Sequence, residues 1–175
     1  ANTTGSKSAS AIFNDTYTNI DNVNHTVTYN VFAVSSANCA GASQNIVLTV
    51  KPKPVLSGSL NTPTCSDAIS NIVLNTNATS VAADTYTINS ITIQSGLIAS
   101  STNATLGSEP AAPAIQNDKF TNKTRAPLTV TYNITPVTNG CLGDAMNVVL
   151  TVNPEPVLST TLNNTVCSGV ASGIK

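Results

Sequence analysis

The sequence has no tryptophan, a single methionine and a single histidine, and only 9% of its residues are charged. Without tryptophan it lacks the best aromatic platform for a sugar ring. With one histidine and no zinc-type spacing of cysteines it lacks a recognisable zinc site. A net charge of −1 provides no basic surface for nucleic acid. No run of 18 apolar residues occurs, so no membrane insertion is expected.

Catalytic groups are equally scarce. His25 aligns with Leu128 in an internal repeat described below, so strand packing is the favoured interpretation of this histidine. The eight carboxylates are scattered, and no pair recurs in both repeat copies as a general acid and base would. Ser66 and Ser168 follow cysteines but have no His–Asp partners. We therefore predict that the protein is not an enzyme and uses no cofactor and no metal.

What the sequence does contain is a repeat. Residues 26–56 read TVTYNVFAVSSANCAGASQNIVLTVKPKPVL, and residues 128–158 read LTVTYNITPVTNGCLGDAMNVVLTVNPEPVL. Cys39 and Cys141 are 102 residues apart, as are Pro52 and Pro154. Such a period indicates an array of similar structural units.

The repeat predicts the domain boundaries. Residues 1–19 match residues 103–122 in the middle of the longer copy, and residues 163–169 match residues 61–67 near its start. We expect residues 1–53 to be the C-terminal part of an incomplete repeat, 54–155 a complete repeat and 156–175 the start of the next. On this interpretation the chain is a segment of a longer tandem array.

Alternating apolar residues predict short β-strands. In the later copy Leu128, Val130, Tyr132 and Ile134 share one face, which favours core packing over ligand binding for Tyr132 and for its counterpart Tyr29. A glycine-containing loop and a second strand follow, which indicates a hairpin. Further strands are expected at residues 69–74, 85–93 and 97–98, with a loop at 100–107. This spacing predicts an all-β, immunoglobulin-like sandwich of about 102 residues per repeat.

Prolines follow each hairpin. The joints read KPKP and NPEP and contain Pro52, Pro54, Pro154 and Pro156. Proline has no N–H for a ladder and favours extended polyproline geometry, so each joint is predicted to be a short, stiff linker.

The four cysteines keep their places in the repeat, which favours disulfides in an oxidising compartment over buried free thiols. A bond between Cys65 and Cys141 would close a loop of about 76 residues, a stabilisation of roughly 4 kcal/mol in the chain-entropy model. It would leave Cys39 and Cys167 to pair outside the segment. A bond between Cys39 and Cys65 is the alternative.

Two further motifs have competing interpretations. Asn14-Asp15 and Asn117-Asp118 are predicted to form turns, since one carboxylate per repeat is too few for a calcium site. Eight Asn-x-Ser/Thr triplets occur, and among them Asn77 and Asn133 are the candidates for glycan attachment.

Together, a strand ending in NGC or ANC, a V-x-L-T-V strand, a P-x-P joint and a CSG or CSD turn resemble the PKD-like repeats of giant Bacteroidetes cell-surface adhesins, the group of the SprB-type gliding adhesin. The resemblance covers residues 26–67 and 128–169. It implies type IX secretion, an extracellular location, and anchoring to the outer membrane through other parts of the protein.

The resemblance therefore implies a stalk whose partners are neighbouring repeats and that holds adhesive regions away from the cell, for gliding or attachment. Association with other copies in a fibre is a further possibility. The alternative is a carbohydrate-binding or other ligand-binding module of a secreted protein, for which Tyr86 is the candidate aromatic residue. No extracellular surface or glycan ligand can be named from the sequence.

Overall fold

The computed structural model describes residues 5–8, 10–109, 113–159 and 161–174. These residues form ten β-strands and no helix, and none of them lies in a helix long and apolar enough to span a membrane. The strands are β1 (His25–Val31), β2 (Gln44–Val50), β3 (Thr62–Cys65), β4 (Thr85–Ile93), β5 (Leu97–Ala99), β6 (Gly107–Glu109), β7 (Phe120–Asn122), β8 (Leu128–Thr138), β9 (Cys141–Leu142) and β10 (Met146–Asn153). The predicted all-β class is confirmed.

The main sheet has the order β3-β10-β8-β4-β6, and β9 pairs with the end of β8. All its pairs are antiparallel except β3 with β10. Pro63 lies in β3, an edge strand, where a missing N–H costs no ladder bond on the outer side. A bulge between Ile88 and Ser90 shifts the register of β4 against β8.

A thinner layer covers the sheet. It contains the β5–β7 pair and extended segments joined by single bridges, Leu56 to Thr76 and Ile69 to Lys119. The core between the layers combines side chains of both: Leu56, Leu60, Ile72, Leu74, Tyr86, Ile88, Ile115, Phe120, Val130, Tyr132, Ile134, Val148, Leu150 and Val152. The result is a sandwich with a reduced second sheet.

The earlier copy forms a separate two-stranded sheet from β1 and β2. Tyr29 lies opposite Ile46 in it, just as Tyr132 lies opposite Val148 in the later copy. Asn38 and Asn139 both adopt positive φ at the loop, a conformation that asparagine tolerates better than most residues. Both predicted hairpins are therefore present in equivalent registers.

Several strand predictions are confirmed and others are wrong. The strand predicted at residues 85–93 is β4, and the one at 97–98 is β5. Residues 69–74 do not form a strand: Ile72 and Leu74 are buried in alternation, but only Ile69 makes a bridge. The sequence interpretation missed β3, β6 and β7. Residues 110–112, part of a predicted loop, lie outside the described residues.

Candidate functional site at the joint between the hairpin and the sandwich

The joint begins where β2 ends at Val50. Its first polar contact is the side chain of Asn19, whose Nδ2 donates to the Val50 carbonyl at 2.9 Å and to the Val23 carbonyl at 2.7 Å. The backbone N–H of Lys53 donates to the Asn19 carbonyl at 3.1 Å. Asn19 therefore fixes the direction in which the chain leaves the hairpin.

The later copy repeats this arrangement. Asn122 is fully buried, and its Nδ2 donates to the carbonyls of Val152 at 2.8 Å and Ala126 at 2.9 Å. The N–H of Glu155 donates to the Asn122 carbonyl at 3.2 Å. We call Asn19 and Asn122 the asparagine latches. The sequence interpretation did not assign them this role, although the motif NDxxxTN, present in both copies, carries the signal.

The other side of the joint is made by the sandwich. Lys53 Nζ lies 2.6 Å from Asp144 Oδ2, which links the joint to the loop before β10. The N–H of Val55 donates to Ser80 Oγ at 2.9 Å. Gly143 lies so close to the chain that a Cβ at this position would stand 2.1 Å from the Pro54 carbonyl oxygen. Only glycine fits here without a shift of the backbone.

The two proline joints differ in burial. Pro52 and Pro54 are buried between the hairpin and the sandwich, whereas Pro154 is half-buried and Pro156 is exposed. The next residues show the same difference, since Leu56 is 3% exposed and Leu158 is 82% exposed. None of the four prolines belongs to the core cluster. The first joint is thus held by packing on the following unit, in addition to the restricted φ of proline.

A cleft of about 530 Å³ opens beside the first joint. Its walls come from the hairpin, the joint and the sandwich: Asn22, Val23, Asn24, Lys51, Pro52, Val81, Thr138 and Asn139. Lys51 is the only charged residue among them. Across the described residues, no group of three or more histidine, cysteine, aspartate or glutamate side chains is placed to hold a metal.

The two Asn-Asp motifs anchor tyrosines. Turns are present as predicted, since Asp15 and Asp118 donate their N–H groups to Ile12 and Ile115 respectively. In addition, Tyr132 Oη donates to Asp118 Oδ2 at 2.7 Å inside the sandwich, and Ala104 N–H donates to Asp118 Oδ1 at 2.8 Å. Burial raises the pKa of the Asp118 carboxyl above its ordinary value.

The hairpin contains a more exposed version of this pair. Tyr29 Oη donates to Asp15 Oδ2 at 2.9 Å and lies 2.8 Å from Tyr17 Oη. The neighbouring Tyr17 hydroxyl is the main cause that raises the pKa of Tyr29. The core position predicted for Tyr132 is confirmed, while Tyr29 is half-buried.

The predicted disulfide between Cys65 and Cys141 is not formed, and all four cysteines are free. Cys65 lies opposite Asn153 at one end of the main sheet, and Cys141 lies opposite Thr138 at the other. Strand β8 separates these ends by roughly 30 Å, whereas a disulfide needs Cα atoms within about 7 Å. The alternative bond between Cys39 and Cys65 is absent as well. Cys167 is exposed.

The remaining candidate residues have distinct environments. Asn77 is exposed in a turn, where its Oδ1 accepts from Thr79 N and Oγ1, both at 3.2 Å. The amide of Asn133 instead joins Asn147 and Asn89 across the outer face of the sheet. Attachment at Asn77 therefore stays a prediction with an accessible site, and attachment at Asn133 would break two hydrogen bonds.

Two further predictions need correction. Tyr86, the aromatic candidate for a ligand, is 4% exposed, and its hydroxyl donates to the Leu74 carbonyl. His25 does not pack in a core: it is exposed, and its Nε2 lies 2.5 Å from Asp21 Oδ2. This hydrogen bond lowers the pKa of Asp21.

Comparison with known proteins gives one match. The model of a PKD-like domain matches residues 1–54 and 98–156, which together exceed half of the chain. No curated protein and no solved structure matches the chain. PKD-like domains are typically extracellular, non-catalytic modules. Each matched stretch carries one hairpin, one asparagine latch and one proline joint. The chain belongs to the PKD-like domain family.

Proposed function

We propose that the chain is a structural spacer of a large exported cell-surface adhesin, in which successive sandwiches are held in line at proline joints. Its role is to hold adhesive regions away from the cell during attachment or gliding. Membership of the PKD-like family supports an extracellular, structural or adhesion-type module. Secretion by the type IX route and anchoring at the outer membrane through other regions complete the proposal.

The observation that carries this proposal is the packing of the first joint. A spacer must keep its units at a fixed angle, because a flexible connection would let them fold back on each other. Here Pro54 is buried, its carbonyl contacts Gly143, and Lys53 bonds both to Asn19 in the hairpin unit and to Asp144 in the sandwich. These contacts restrain the joint from both sides.

The same contacts support the proposed domain boundaries at residues 53/54 and 155/156. All strands of the main sheet, and the β5–β7 pair that covers it, lie between Thr62 and Asn153. The hairpin of residues 25–50 contributes no side chain to the core cluster. A complete unit over residues 54–155, preceded by part of another and followed by the start of a third, accounts for both facts.

Small-angle scattering of the purified chain in dilute solution tests the spacer proposal. We expect one elongated, rigid particle whose maximum dimension matches the hairpin and sandwich in line. A control with four glycines inserted between Lys53 and Pro54 should broaden the distance distribution. If the unmodified chain gives the same broad distribution as this control, the joint is not a spacer joint.

A glycan array distinguishes the spacer from the ligand-binding alternative. Burial of Tyr86 removes the aromatic residue on which that alternative depended. We expect no saturable binding by the chain, and saturable binding to any glycan would favour a ligand-binding module instead.

A further inference from the structure

Two equivalent hairpins of this chain differ in how well one face is covered. In β10 the core-facing residues Val148 and Leu150 are 0% exposed. Their counterparts in β2, Ile46 and Leu48, are 45% and 40% exposed. The sequences and the registers of the two hairpins correspond, so the difference lies in what packs against them.

In the sandwich, much of the cover comes from residues 55–74. Strand β3 runs parallel to β10, with Thr62 opposite Leu150. Just before β3, Asn61 Oδ1 accepts a hydrogen bond of 2.7 Å from Val149 N–H. The same segment contributes four side chains to the core: Leu56, Leu60, Ile72 and Leu74.

The chain contains a second copy of this covering segment. Residues 158–174 read LSTTLNNTVCSGVASGI, and residues 56–72 read LSGSLNTPTCSDAISNI. The two leucines, the asparagine before β3 and the final isoleucine are all kept. In this second copy, however, Leu158 is 82% exposed and Ile174 is 52% exposed. One molecule thus presents an uncovered hairpin face and an unused covering segment.

We propose that these two surfaces bind each other between molecules: residues 157–174 of one copy cover the hairpin of residues 25–50 of a second copy. The register follows from the sandwich. Residues 164–167 add as a parallel strand beside residues 48–51, Leu158 packs on the apolar face, and Asn163 accepts from Val47 N–H. This is recognition by addition of a strand to a sheet edge.

The geometry of this contact determines the type of assembly. The hairpin and the covering segment are different surfaces, so the contact is head-to-tail. A head-to-tail contact that does not close into a ring continues into an open chain of molecules. Mass should therefore keep rising with concentration and should not stop at a dimer. This assembly goes beyond the spacer role and does not depend on it.

Sedimentation velocity over a concentration series tests the proposal on the full chain. Leu48→Asp and Leu158→Asp should each weaken association at least about tenfold, since each places a charge in an apolar contact. Val47→Asp, on the other face of β2, and Thr161→Asp, whose counterpart Ser59 is exposed, are the matched controls and should associate normally. Circular dichroism checks that every variant keeps its sheet content.

Mixing the two defective variants gives the decisive result. The Leu158→Asp chain keeps an intact hairpin, and the Leu48→Asp chain keeps an intact covering segment, so the mixture should form 1:1 dimers and nothing larger. An unmodified chain that stays monomeric throughout would overturn the proposal. So would loss of association in Leu48→Asp but not in Leu158→Asp, because hairpins would then be pairing with each other.

Discussion

Replacing Tyr132 by phenylalanine should destabilise the sandwich in a pH-dependent manner. The Tyr132 hydroxyl is fully buried and donates to Asp118 at 2.7 Å. Its removal leaves Asp118 Oδ2 without that donor, in a site where the carboxylate is 2% exposed. Hydrogen bonds to charged groups contribute about 1.5–3 kcal/mol, so the free energy of unfolding should fall by about 2 kcal/mol at pH 7.

The pH dependence follows from the carboxyl group. Burial raises the pKa of folded Asp118 above the value of about 3.9 in an unfolded chain. The group therefore favours the folded state below that unfolded value, and this contribution is lost as the pH rises through the folded pKa. The Tyr132 hydroxyl opposes the rise, so Tyr132→Phe should raise the pKa of Asp118 further. The variant should accordingly lose more stability at pH 7 than at pH 3.5.

Urea denaturation at both pH values, followed through NMR signals of β8 and β10, measures this effect. In a chain that also carries Asp118→Asn, the same change should cost about 1 kcal/mol, as for a neutral hydrogen bond, without pH dependence. Tyr29→Phe at the more exposed counterpart should cost less than Tyr132→Phe. Equal costs of Tyr132→Phe with and without the Asp118→Asn substitution would refute the reasoning.

Three further predictions concern the joint and the thiols. Gly143→Ala should destabilise the sandwich by about 2 kcal/mol, because its Cβ would clash with the Pro54 carbonyl. Gly41→Ala, whose Cβ would lie 3.5 Å from the Ala33 oxygen, should be nearly neutral in urea denaturation, and equal effects would count against the close contact. Asn122→Ala should cost about 3 kcal/mol by leaving buried carbonyls unpaired, and a thermal melt close to that of the unmodified chain would contradict the latch. All four cysteines should react with a thiol reagent in denaturant without prior reduction, and a mass two units lower than expected would reveal a disulfide.

The sequence predicted the parts of the fold that depend on local pattern. Strand β4 and both hairpins alternate apolar and polar residues strictly, and they were predicted correctly. Ile72 and Leu74 alternate in the same way, but their neighbours offer only single bridges. Whether an extended segment becomes a strand depends on its partner, and a local pattern cannot reveal that partner.

The candidate site was predicted in part. The prolines marked the joint, because proline ends a ladder wherever it occurs. The contacts that hold the joint come from Gly143 and Asp144, about ninety residues away, and no local pattern links them to Pro54. The disulfide prediction failed for a related reason: loop entropy favours long closures, but only the strand order shows that Cys65 and Cys141 lie at opposite ends of the sheet.

The central claim is that the joint holds the hairpin and the sandwich at one fixed angle. Residual dipolar couplings of amides in β1, β2, β8 and β10 measure that angle in the weakly aligned chain, studied below the concentration at which molecules associate. A single alignment tensor should fit all four strands, and insertion of four glycines after Lys53 should split it into two. Two tensors of different magnitude in the unmodified chain would contradict the claim.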